Sequence, residues 1–381
     1  MKSDWKQVPP NRREFLAGSI GAFVGGGVAA LHASEIISAT PHPAVSAPPN
    51  PAVVHRVIID TDPGVDDALA ILLALRSPEL KVEAITPVAG NVTLDFTLPN
   101  ALRLVEIAGR TDVPVAAGAS HPLVRNLITA SYVHGNNGLA GVDFPAPKIK
   151  PVAETATEII RRIVRANPGE ITIVAVGPLT NVATALRADP ELAGMLRSIV
   201  IMGGSLSGGN VTPAAEFNLY ADPEAARIVF DAGVPLTMVG LDVTRKVLFT
   251  PEHLKVLEAG KTPSSQAAAR IMGATIQNLN RGPHPMLEAM HDPLTVAYLI
   301  DPEILSLRDY YVEVETQGEF TAGETVGYSY APARRSESLS TASPAPSSPA
   351  EAPFRPNVKV AVGVDPERFF QLLLGRLTTP A

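Results

Sequence analysis

A chain of 381 residues is long enough to bury a large core within a single α/β domain. It contains no cysteine, which excludes disulfides and thiol chemistry. A net charge of −7, with no basic run, argues against a nucleic-acid surface.

Near the N-terminus, Asn11-Arg12-Arg13-Glu14-Phe15-Leu16-Ala17 resembles the twin-arginine export motif. A short Gly- and Ala-rich apolar stretch follows over 18–31. A membrane span needs about 20 residues, so this one is too short to cross comfortably. A basic segment followed by such a stretch reads as a signal peptide. Residues 1–33 are its expected extent, and 34–52, rich in Pro and Ala, read as a linker. The protein is therefore expected to be exported, periplasmic or secreted, with no stable membrane association after cleavage. The folded domain is expected over 53–381.

From residue 53 strand and helix patterns alternate. Strands are expected over 53–60, 81–88, 113–117, 171–176, 198–202 and 236–239. Helices are expected over 66–75, 94–108, 154–166, 181–186, 223–231, 251–257 and 264–280. This rhythm implies an α/β fold: a mostly parallel central sheet in an α/β/α sandwich. Further on, Tyr310-Tyr311-Val312-Glu313-Val314-Glu315 alternates as an edge strand should, and 358–364 reads as its partner. Between them, about 330–356, lies a Ser-, Pro- and Ala-rich insertion, expected to be disordered. A closing helix begins near Phe369.

The most informative stretch is Asp60-Thr61-Asp62-Pro63-Gly64-Val65-Asp66-Asp67. It joins an apolar, β-branched strand to an apolar helix, the position where open α/β sheets keep their ligand crevice. Close carboxylates repel, so the cluster either raises some of its pKa values or collects a cation. Oxygen-only donors favour a hard cation, Ca²⁺ or Mg²⁺. The bland alternative is an Asp-rich turn that caps a helix. Asp-Pro pairs at 62, 189, 222, 301 and 365 show that this chain habitually starts helices so. On pattern alone Asp292, in His291-Asp292-Pro293, reads as one more cap.

The aspartate turn closely resembles that of the nucleoside hydrolases, the inosine–uridine type of N-ribohydrolase. The other blocks that carry the resemblance are Gly90-Asn91, Gly177-Pro178-Leu179-Thr180-Asn181, Met202-Gly203-Gly204, Asn210 to Asn218, and His291-Asp292-Pro293. The likeness runs from about residue 53 to the C-terminus, broken by the insertion. It implies a nucleoside-hydrolase fold and hydrolysis of a ribonucleoside to free base and ribose. Asp62, Asp67 and Asp292, with the Val176 carbonyl, would hold one Ca²⁺. Asp62 would take a proton from a water on that ion. Asp60 would orient the ligands.

The same resemblance gives Asp66, Asn91, Met202, Asn210, Glu216, Asn218 and Asp292 to the ribose, and His134 to the base pocket. His291 would be the acid that protonates the departing base, since an imidazole titrates near neutrality. The segment before it, from Arg281 through His284, departs from the family's base-contacting helix. Relatives assemble as dimers or tetramers, so a homodimer or homotetramer is expected. The purine-specific branch is associated with stacking tryptophans, whereas the one tryptophan here is Trp5.

Other readings compete. Asp-x-Asp after a strand also opens the haloacid dehalogenase phosphatases, but Gly64 stands where those need Thr or Val. An EF-hand is broken by Pro63 and the flanking strand. The non-enzyme alternative is an exported nucleoside- or ribose-binding protein on the same fold.

Overall fold

The structure, a computed structural model, describes residues 54–280, 287–330 and 355–380. The expected signal peptide, the linker and nearly all of the 330–356 insertion lie outside the described residues, as do Arg281 and His284. Ten strands are described. They are β1 (His55–Thr61), β2 (Leu80–Pro87), β3 (Ile171–Ala175), β4 (Ser198–Met202), β5 (Leu236–Val239), β6 (Leu248–Phe249), β7 (Glu288–Ala289), β8 (Leu305–Val314), β9 (Thr325–Tyr328) and β10 (Val358–Val364).

Eight of them form one sheet in the order β2-β1-β3-β4-β5-β10-β8-β9. From β2 to β10 neighbours run parallel, and β8 and β9 are added antiparallel. The mostly parallel sheet with flanking helices is the expected architecture. Its strands read as continuous apolar runs because both faces are covered. Side-chain alternation divides them: Val57, Ile59, Val174 and Val200 join one core layer, while Ile58, Ile173, Ile199 and Ile201 join the other.

The helix Val65–Leu75 is buried along its whole length. It packs against the helices His291–Ile300, Pro263–Leu279 and Pro366–Thr378. An all-round apolar sequence is what such a position requires. Among the described residues no helix is long and apolar enough to cross a membrane.

Two expectations change. Residues 113–117 form no strand; only an isolated bridge joins Val115 to Ile85. Pro114 has no N–H to give a ladder, and the Val113 N–H is spent on the Arg110 carbonyl. The strand at Tyr310 pairs with β10 as expected, yet it is not the edge, because β9 continues the sheet beyond it.

Candidate active site

After β1 the chain turns toward β2, and after β3 toward β4, although β1 and β3 are neighbours. Such a reversal opens a crevice at the C-terminal ends of the two strands. The aspartate turn lies at the end of β1 and Val176 at the end of β3, joined where Val176 N donates to the Asp60 carbonyl at 2.8 Å.

Asp67 organises the turn. Its Oδ1 accepts from the Thr61 hydroxyl at 2.6 Å and from Asp62 N at 3.2 Å. Its Oδ2 accepts from Gly64 N at 3.0 Å and Asn91 Nδ2 at 2.8 Å. Through the Gly64 contact it also caps the helix it begins. Asp62 is fully buried; its Oδ2 accepts from Asn91 N at 2.6 Å, and its Oδ1 has no hydrogen-bond partner. Two glycines make room for it. A Cβ at Gly90 would stand 2.1 Å from Asp62 Oδ2, and one at Gly177 would stand 2.6 Å from Oδ1.

Asp60 lies behind, its Oδ2 held by the Thr86 hydroxyl at 2.6 Å and Asn181 Nδ2 at 2.9 Å. Burial pushes its carboxyl up to about 7.

Asp292 arrives from the far end of the sequence. It is not the cap that pattern suggested: Met290 is the N-cap residue of His291–Ile300, and Asp292 sits inside the first turn. The contrast with the other Asp-Pro pairs is informative. Asp222, Asp301 and Asp365 do cap helices, and Asp189 is paired with Arg165. Asp62 and Asp292 do neither. Oxygens of Asp66, Asp67 and Asp292 lie within 4.8 Å of one another, a group that could hold a metal ion. Asp66, expected as a ribose ligand, therefore shares that cluster, while Asp62 stands next to it.

Burial, then mutual repulsion, pushes the carboxyls of Asp62, Asp66 and Asp292 well above their ordinary range. Glu288, on β7, adds to the repulsion at Asp66. Among the described residues no Lys or Arg forms an ion pair with Asp60, Asp62, Asp66, Asp67 or Asp292. Buried like charges without a counter-ion, and an Asp62 oxygen without a donor, suit a hard divalent cation. Sequence reasoning missed Glu288, whose one signal was its place three residues before His291.

The remaining site residues cluster around this group. Asn91 joins Asp62 to Asp67, as above. Asn218 Nδ2 donates to the Val176 carbonyl at 3.0 Å and to the Met202 carbonyl at 3.1 Å. The Val176 carbonyl expected to face a cation thus already accepts one hydrogen bond, leaving one lone pair. Glu216 is the N-cap of Phe217–Ala221, where its carboxylate accepts from Asn218 N, Leu219 N and Gly204 N. Burial outweighs those bonds and raises it to about 7. Asn210 is exposed, its Oδ1 accepting from Phe217 N at 2.9 Å. His134 is buried against the aspartate turn, with Nδ1 accepting from Val65 N at 3.1 Å.

His291 lies beside Thr244. Its Nδ1 lies 2.7 Å from the Thr244 hydroxyl. Burial, then Arg245 and His134, lowers it from 6.5 to about 4, below the near-neutral titration expected of an imidazole. Thr244 and Arg245 gave no sequence signal. Thr244 ends the short helix Leu241–Thr244, and Arg245 is its C-cap residue.

Fold and site together define a class: an α/β enzyme with buried carboxylates at a sheet switch point and amide side chains beside them. The family model for inosine-uridine preferring nucleoside hydrolase matches residues 57–371, and the chain belongs to that family. It is a hydrolase of that kind. A pyrimidine-specific ribonucleoside hydrolase, RihA, of Citrobacter koseri is 44% identical over 322 residues, 84% of this chain and 97% of the relative. Among solved structures, a plant nucleoside hydrolase superposes with a TM-score of 0.76 at 38% identity, covering 86% of this chain and 99% of the other. A purine-preferring ribonucleoside hydrolase from Gardnerella vaginalis gives 0.74 at 33% identity, covering 85% and 98%.

Proposed function

We propose that this enzyme cleaves the N-glycosidic bond of ribonucleosides to free base and ribose, with pyrimidine ribonucleosides such as uridine preferred. The observation that carries the reading is the Asp62 carboxylate, buried, with Oδ1 unpartnered beside three further aspartates. The preference is supported by the 44% identical relative, which is named as pyrimidine-specific.

In this mechanism Asp62 Oδ1 accepts the proton of the water that attacks the sugar. Burial, then the neighbouring Asp67, raises the Asp62 pKa well above the ordinary carboxylate value, which makes it a better proton acceptor. Gly90 and Gly177 leave it room on both sides, and the Asn91 N–H fixes its direction. Asp66, Asn91 and Asn218 would grip the sugar hydroxyls, Asn218 through the amide oxygen that its bonds to Val176 and Met202 leave over. Asn210, Glu216 and the Met202 backbone would hold the 5′ end, and His134 would line the base pocket. Negative charge around the ring favours the oxocarbenium-like transition state.

Asp62, Asp67 and Asp292, with the Val176 carbonyl, would hold a calcium ion, and Asp66 offers a further oxygen. When bound, such an ion lowers the pKa of a coordinated water and grips vicinal hydroxyls. The same proposal includes export by the twin-arginine route, supported by the Arg12-Arg13 motif, and a homo-oligomeric assembly, supported by the resemblance to the family. A reducing-sugar assay over a panel of nucleosides, with and without chelator, tests the activity. Ribose release from uridine that chelator stops is the expected result. No release from any nucleoside would remove the reading.

A further inference from the structure

One short stretch after β5 joins two parts of the pocket that come from distant segments. Leu241 N donates to the Gly204 carbonyl at 3.0 Å, at the start of the helix Leu241–Thr244. Asp242 then holds the loop that follows β4. Its Oδ2 accepts from Leu206 N at 2.8 Å and its Oδ1 from the Ser207 hydroxyl at 2.6 Å. The Thr244 hydroxyl lies 2.7 Å from His291 Nδ1. Arg245 comes next, and its Nη2 returns to the same loop to donate to the Gly209 carbonyl. The loop leading to Asn210 and Glu216, and the residue given to the departing base, are thus held by neighbouring residues.

Arg245 has a distinctive place there. It follows directly on Thr244, whose hydroxyl meets the ring assigned to the base, and its guanidinium meets Gly209, the residue before Asn210, which is assigned to the sugar. The side chain is exposed, and among the described residues its guanidinium makes one hydrogen bond, to Gly209. A guanidinium has five N–H donors and stays charged at any working pH, so several donors remain for a ligand. The site is polarised as a result, with aspartates massed around Asp62 and a fixed cation on the His291 side.

We infer that Arg245 contacts the departing base and stabilises the negative charge it gathers as the glycosidic bond breaks. The inference rests on the ribonucleoside hydrolysis proposed above. In that reaction the electron pair of the C1′–N bond leaves with the base, and the water oxygen bonds to C1′. One water proton passes to Asp62 and on to solvent, and the base anion takes up a proton, so that one water is divided between the products. The base charge spreads onto a ring carbonyl oxygen, an acceptor that guanidinium N–H donors match. The polarity of the protein then follows the charge separation of the transition state.

The test compares wild type, Arg245→Ala and Arg245→Lys on uridine and on p-nitrophenyl riboside. Nitrophenolate leaves with little help, so it isolates assistance to the leaving group. Arg245→Ala is expected to lose about 10²-fold in kcat on uridine, the usual cost of one charge-stabilising donor. On p-nitrophenyl riboside the loss should stay within about threefold, since that substrate does not need the donor. Arg245→Lys should recover part of the uridine rate, as should guanidinium ion added to the Ala variant. Equal losses on both substrates, or a shared rise in KM with kcat unchanged, would make Arg245 a loop anchor only and overturn the inference. So would no loss on either. Thermal unfolding separates these results from misfolding, and Arg245→Lys keeps the charge if the Ala variant does not fold. A wild type inactive on both substrates would instead remove the hydrolase reading itself.

Discussion

Asn91 N donates to Asp62 Oδ2 at 2.6 Å, and this contact fixes which oxygen of Asp62 stays free. The geometry needs Gly90, whose missing side chain leaves the space that the carboxylate fills. Gly90→Ala would place a methyl group 2.1 Å from Asp62 Oδ2, so the carboxylate must move. A misplacement of about 1 Å at a reacting group can cost 10²-fold, and a kcat loss of that order is expected. The helical circular dichroism should persist. Wild-type kcat in a folded Gly90→Ala protein would contradict the role given to Asp62.

Asp67 carries a double duty. A substitution by Ala strips four donors of their acceptor: Thr61 Oγ1, Asp62 N, Gly64 N and Asn91 Nδ2. A buried donor left without a partner costs about 1–3 kcal/mol, so Asp67→Ala should lower Tm markedly as well as abolish activity. Asp292 has no such role in the turn. Asp292→Asn should lose calcium binding, read by equilibrium dialysis, with a smaller change in Tm. An Asp67→Ala protein as stable as wild type would mean that the turn is held by other contacts.

Much of this was legible in the sequence because period and chemistry coincide there. Strands 198–202 and 236–239 and the helix 223–231 have the expected bounds, each being a short apolar run with sharp turn residues at its ends. The aspartate turn was visible because four carboxylates at a strand-to-helix junction have few bland explanations. What escaped notice depended on distant packing. That Asp292 is no cap shows only when the start of its helix is seen, one residue before it. The low pKa of His291 comes from burial and then from Arg245, and neither is local to its motif. The strand β9 has four residues, Thr325–Tyr328, too few for alternation to show.

Stability should depend on pH in a direction set by the raised carboxyls. Asp60 and Glu216 are pushed up to about 7, and Asp62, Asp66 and Asp292 well above 3.8. The native state keeps protons that the unfolded chain releases above those ordinary values. Their contribution is therefore full at low pH and is lost as pH rises through the native values. His291 acts the other way, losing stability as pH falls from 6.5 to about 4, so the range above 6.5 isolates the acids. Chelated protein should show a falling Tm from about pH 6.5 to pH 8, and calcium should restore it most at the upper end. A Tm that rises over that interval without metal would contradict the assignment.

Export can be read separately from catalysis. Replacing Arg12 and Arg13 by Lys should leave the precursor in the cytoplasm if the paired arginines are the signal. Cell fractionation gives the answer. Mature protein reaching the outside unchanged would refute the twin-arginine reading and leave the enzyme chemistry untouched.

The last prediction concerns how His291 assists, and it turns on the charge of one ring. With a value near 4, less than about one molecule in 10² carries an imidazolium at pH 7. If that minority form were the acid, kcat on uridine would fall about tenfold per pH unit above the native value. If the neutral ring serves, by a hydrogen bond to the base with Nδ1 tied to Thr244, the rate should not decline between about pH 6 and pH 8. The second outcome is expected, since Thr244 holds one ring nitrogen at 2.7 Å and directs the other away from it. His291→Ala should then cost more on uridine than on p-nitrophenyl riboside, whose leaving group needs no donor. Thr244→Val should reproduce part of that loss without changing KM for the riboside, because it frees the ring while leaving the sugar contacts alone. A steep fall in the uridine rate over that pH range would restore His291 as a true acid, with a substrate-bound pKa well above the value the free site gives it.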